Sequence, residues 1–141
     1  MRTRSRRFNL YFGLHVAVCL FGGVMFLFAP GVILDPWQVP ADDPIITGLT
    51  FNAGANMLTI ALLSGVLLRV EPARLRHGGA AALVIWNGLI VYGDLLIGRA
   101  TGADMTSGMT LHGAWALWGL ILLVAFRESA ATVQSPAAAA A

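Results

Sequence analysis

The sequence predicts an all-α integral membrane protein, a four-helix bundle with both ends on the cytoplasmic side. Three observations predict it. Apolar residues make up 57% of the 141 residues and charged residues only 11%. A soluble domain carries about a quarter charged residues, so this chain lacks the polar surface to coat a water-facing globule. The apolar residues also gather in four stretches, about 8–28, 45–68, 79–97 and 109–126. Finally, the arginines fall almost entirely on one side of those stretches.

The first stretch follows Arg2, Arg4, Arg6 and Arg7. A basic segment before an apolar run also describes a secretory signal, and Ser5-Arg6-Arg7-Phe8-Asn9-Leu10 approaches a twin-arginine signal. The run is longer than a usual signal core, and it ends in Phe28-Ala29-Pro30-Gly31 with no small-x-small cleavage site. An uncleaved first helix is therefore expected. Pro30, Pro36, Pro40 and Pro44 punctuate the connection that follows.

Each later stretch is long enough to cross a hydrocarbon core of about 30 Å at about 1.5 Å rise per residue. Helices are the expected form, because an open strand would leave backbone groups unpaired in lipid. Glu71-Pro72 begins the second connection, where Arg69, Arg74 and Arg76 gather. The segment Gly98–Gly108, with Asp104, Thr106 and Ser107, forms the third. Arg127 follows the last stretch. The opposite side holds Arg99 alone, together with Asp35, Asp42, Asp43 and Asp104. The positive-inside rule places the arginine-rich side in the cytoplasm. Trp37 suits the outer interface. Residues 1–128 read as a single transmembrane domain, and residues 129–141 as a disordered tail.

Polar groups inside the spans are the best functional clues, because each is costly in lipid. The second span holds Asn52, Asn56 and Thr59, spaced by four and three along one helical face. The third holds Asn87 and Asp94, seven apart, and the fourth holds Thr110 and His112. By depth, Asn52, Asn56, Asp94 and His112 belong to the outer half and Asn87 to the middle. They are the candidate ligand-binding residues, expected to converge there if their faces turn inward. Asp94 would protonate or find a partner, with His112 and Arg99 as candidates. The same groups equally describe a hydrogen-bonded knot that holds helices in register.

His15 and His112 invite a haem or chlorin hypothesis, but counted from the span edges they differ in depth by about 13 Å. That argues against one shared iron, and no cofactor is implied. Cys19, the lone cysteine, reads as helix packing. Leu14-His15-Val16-Ala17-Val18-Cys19-Leu20-Phe21-Gly22 matches Leu111-His112-Gly113-Ala114-Trp115-Ala116-Leu117-Trp118-Gly119 at five of nine positions. The two helices run in opposite directions, so this reads as coincidence and not as a repeat unit.

Phosphate loops, HExxH, CxxC and serine-histidine-acid arrangements are absent from the sequence. The net charge of +2 gives no reason to expect nucleic acid as a partner. Expected partners are membrane lipids and either a second copy or a larger membrane complex.

Several features together resemble the small bacterial DoxX-like four-helix membrane proteins. They are Leu27-Phe28-Ala29-Pro30 at the end of the first helix, Asp42-Asp43-Pro44 in the outer loop, Val70-Glu71-Pro72-Ala73-Arg74 after the second helix, and Asp94 late in the third. The resemblance spans about Phe8 to Arg127. It implies an accessory subunit or a quinone-linked partner. In size, topology and a late acidic residue in the third helix, the chain is also similar to the four-helix scaffold of fungal sterol synthesis. Ile90 stands where that scaffold has a histidine, so its function is not carried over. The leading expectation is a non-enzymatic accessory or scaffold protein of the bacterial inner membrane. The alternative is a binding protein for a lipid or quinone in an outer-leaflet pocket.

Overall fold

The computed structural model describes residues 6–37, 43–70 and 73–125. Arg2, Arg4, Pro40, Asp42, Glu71, Pro72, Phe126, Arg127 and the 129–141 tail lie outside the described residues. The described residues are helical almost throughout: α1 Arg6–Phe28, a short α2 Pro30–Leu34 running into a 3-10 turn Asp35–Trp37, α3 Pro44–Arg69, α4 Ala73–Thr101 and α5 Thr106–Ala125. The long helices α1, α3, α4 and α5 are each long and apolar enough to cross a membrane.

The helix ends follow local chemistry. Pro30 and Pro44 each sit in the first turn of a helix, where a missing N–H costs nothing. Asp43 caps α3, its Oδ1 accepting from the backbone N–H of Ile45 at 2.7 Å and Ile46 at 3.2 Å. Gly102, at φ 75°, closes α4 in the left-handed conformation, and its N–H donates to the Gly98 carbonyl at 2.9 Å. Asp104 Oδ1 then accepts from Thr106 N–H at 2.9 Å and opens α5.

Two connections differ from the sequence reading: the Gly98–Gly108 segment is mostly helical, with α4 running to Thr101 and α5 starting at Thr106, and the second connection is shorter too. The third helix begins at residue 73 and not near 79, so Arg74, Arg76 and His77 are its first turns and not a loop. The apolar run marks where a helix meets lipid, whereas arginine and alanine extend a helix without regard to hydropathy. At 29 residues, α4 is about 44 Å long, well over the thickness of a hydrocarbon core.

The long helices pack most closely as two pairs, α1 with α3 and α4 with α5. In the first pair the backbones meet at glycine. A Cβ placed on Gly54 would lie 3.0 Å from the Gly23 carbonyl oxygen, and one on Gly23 3.0 Å from the Gly54 carbonyl oxygen. The pairs join around a core at the end where α1 and α4 begin. It consists of Phe8, Tyr11 and Phe12 from α1, Leu67 from α3, Ala80 and Leu83 from α4, and Leu122 from α5. Arg76 adds a polar tie there, donating to Asn9 Oδ1 at 2.8 Å with its guanidinium over the Phe8 ring. Large apolar side chains such as Phe21, Leu62, Ile85, Leu89 and Leu117 are exposed instead, as lipid would require.

Candidate functional site

Just past the core, three polar side chains meet. His15 and Asn87 are 2% and 1% exposed, so any group they leave unpaired would be unpaired for good. His15 comes from α1, Asn87 from α4 and His112 from α5.

Two carbonyls fix how the three are arranged. The Leu83 carbonyl can only accept, so the amide nitrogen of Asn87 faces it, at 2.8 Å. Oδ1 of Asn87 therefore faces His112, whose Nδ1–H donates to it at 2.9 Å. The Tyr11 carbonyl likewise accepts from His15 Nδ1–H at 3.0 Å. Neutral His15 then offers Nε2 as an acceptor, and Asn87 Nδ2 donates to it at 3.2 Å. The chain runs Tyr11 carbonyl, His15, Asn87, His112, and it is satisfied at every link but one. With Nδ1 protonated, neutral His112 keeps a lone pair on Nε2, and no described residue hydrogen-bonds it.

Aromatic rings enclose this chain. Trp115 stands edge-on to His15 at 4.2 Å, Tyr11 lies 4.4 Å from His15, and Trp86 is edge-on to His112 at 5.8 Å. Trp118 extends the group by stacking on Trp115 at 5.5 Å. A cleft beside the histidines is lined by Val18, Cys19, Met57, Trp86, Leu111 and Trp115. Its enclosed part is about 20 Å³, roughly the room one water needs. A larger molecule would enter from the open side and seat only one functional group.

The predicted constellation is only partly assembled. Asn87 and His112 are joined by a hydrogen bond. Asp94 lies one helical stretch further along α4, its carboxylate against Gly108 of α5, and it meets neither His112 nor Arg99. Asn52 and Asn56 are exposed on α3, and neither has a hydrogen-bond partner among the described residues. The expected convergence of Asn52, Asn56, Asp94 and His112 on one place does not occur. Position along each helix was readable from the sequence, but the rotation of each helix about its own axis was not.

His15 was the member that the sequence reading set aside. Measured on the helices, it lies about 14 Å from the start of α1, and His112 about 20 Å from the end of α5. The gap is half of that expected, and the Asn87 amide bridges it. The signal was present in the matched Leu-His-x-Ala segments, which bring both histidines to one amide from antiparallel helices. Both ring nitrogens of His15 are engaged, so it cannot join His112 on a shared metal without losing both bonds. Among the described residues no group of three or more His, Cys, Asp or Glu side chains is placed to hold a metal ion.

No family model matches this chain, and no curated protein or solved structure is similar to it, so the reading of the site rests on its own geometry.

Proposed function

We propose that the chain is a non-enzymatic accessory or scaffold protein of the bacterial inner membrane, inserted with its arginine-rich side in the cytoplasm. It acts by packing its helices against another polypeptide. The observation that carries this reading is the position of Asn52 and Asn56, two carboxamides within an apolar span that no described residue of the chain satisfies. In lipid such groups need a partner from outside the chain. The buried polar chain supports the same reading from the other side, since it is consumed in tying α1, α4 and α5 together. Likeness to the DoxX-like accessory subunits belongs to this proposal. Chemical crosslinking in native membranes tests it: the chain should be recovered in a complex, and recovery of monomer alone overturns it.

One observation favours a second reading. The free Nε2 of His112 sits beside an apolar, tryptophan-lined cleft. A lipophilic molecule carrying a hydroxyl, such as a quinol or a lipid alcohol, would donate to that nitrogen. Native mass spectrometry after gentle extraction should then find a retained lipophile that His112→Leu releases. Unchanged retention in that variant removes this reading.

A further inference from the structure

The outward face of α3 has a regular spacing. Gly48, Asn52, Ala55, Thr59, Leu62 and Val66 follow intervals of four and three, and all six are exposed. The inward stripe of Thr50, Gly54, Ala61, Ser64 and Leu67 is buried on the opposite side of the same helix. Such alternation is the spacing of a left-handed helix pair.

The polar residues on the outward face differ in what they still need. Thr59 is satisfied locally, its hydroxyl donating to the Ala55 carbonyl at 3.0 Å. Asn52 and Asn56 are not satisfied by any described residue. Asn56 stands about 18 Å along a helix of about 39 Å, close to its midpoint, where bulk water does not reach. One turn separates it from Asn52 on the same side.

We infer that α3 pairs with α3 of a second copy of this chain, with Asn52 at the centre of the seam and Asn56 at its flank. This rests on the packing function proposed above and names the partner. Three features favour a second copy. Two copies insert in the same direction, so their α3 helices run parallel and identical residues meet at equal depth. A carboxamide both donates and accepts, so Asn52 is complementary to itself across a two-fold axis. Between Pro44 and Arg69, α3 carries no charged residue, so identical faces do not repel. A different partner would need its own polar group at this depth. Gly48 and Ala55, each about one turn from Asn52, let the backbones close enough for the amides to bond. A single asparagine in such a seam also sets the register of a parallel pair.

The test uses the full chain in phosphatidylcholine vesicles, with Cys19→Ala as background. Ala55→Cys should form an interchain disulfide on mild oxidation, while Ile85→Cys, on the exposed face of α4, should not. Energy transfer between donor- and acceptor-labelled chains should show that Asn52→Leu with Asn56→Leu weakens association by about tenfold, with helix content unchanged. Equal disulfide yield at the two positions, or association unchanged within about twofold in the double variant, overturns the α3 seam. Native membranes separate the two proposals. If the chain is monomeric in vesicles but Ala55→Cys crosslinks there to a different protein, the second copy is wrong and the accessory function stands. No crosslink in either setting overturns both.

Discussion

Asn87 and Asn52 are the same residue in two apolar helices, and they meet opposite fates. Asn87 lies inside the chain, where its amide donates to Leu83 and His15 and accepts from His112. Asn52 lies outside it and bonds to no described residue. In a span, a carboxamide has little water to fall back on, so it ties its helix to whatever faces it. Facing inward it fastens α4 to α1 and α5. Facing outward it finds no partner among the described residues. The two asparagines therefore differ in level: one holds the fold, and the other is the group that the proposed pairing would satisfy.

The largest expected effect breaks that contrast directly. Asn87→Leu keeps much of the volume but leaves His15 Nε2 and His112 Nδ1 without their shared partner. Each buried orphan costs about 1–3 kcal/mol, so a loss of about 3 kcal/mol is expected in the unfolding free energy. Asn52→Leu strands nothing within the chain and should change the monomer by no more than about 0.5 kcal/mol. Detergent-titrated unfolding at high dilution measures both. Equal losses would mean that the two asparagines are equivalent and that the contrast is false.

The second effect sharpens the contrast between the helix pairs. Gly54→Ala puts a methyl group 2.8 Å from Leu27 and 3.0 Å from the Gly23 backbone. Backbone cannot yield as a side-chain tip can, so about 2 kcal/mol should be lost, within the usual range for overpacking. Gly108→Ala comes nearest to the Asp94 carboxylate, at 2.6 Å. That group ends a rotatable side chain and can swing aside. A loss under about 1 kcal/mol is expected there. The same unfolding titration ranks them, and a larger cost at Gly108 would show that the Asp94 carboxylate is held in place.

These effects also mark what the sequence could and could not convey. The four helices were legible because hydropathy counts residues along one axis, and the start of α3 because Pro44 acts locally; the turn between α4 and α5 was drawn too long, since hydropathy does not register the Gly102 and Asp104 that bound it. Asn87 and His112 were legible as polar groups in apolar runs. The partnership with His15 was not, because it depends on how α1, α4 and α5 are rotated against one another. Nor was the outward turn of Asn52 and Asn56: their spacing placed them on one face of α3, and only packing decides which way that face looks. The first turns of α4 were hidden for another reason, since hydropathy reports contact with lipid and not helicity.

The smallest effect belongs to a polar group that faces water instead of protein or lipid. Asp104 opens α5 by accepting from Thr106 twice, from its side-chain hydroxyl and, at 2.9 Å, from its backbone N–H, and those bonds, the hydroxyl's first, hold its carboxyl below the usual carboxylate range. A depressed value in the folded chain means that the unfolded chain takes up its proton first. The contribution is thus complete above the ordinary aspartate range and is lost as pH falls through the lower folded value. Asp104→Asn keeps an acceptor oxygen but cannot titrate, so this part of the acid dependence should vanish while stability near neutrality changes little. Helix content followed against pH, for the two proteins side by side, measures the difference. An unchanged acid limb would assign the pH response elsewhere. A drop at neutrality comparable to that of Asn87→Leu would show that a cap exposed to water can matter as much as an amide closed off from it, and the ordering by environment would fail.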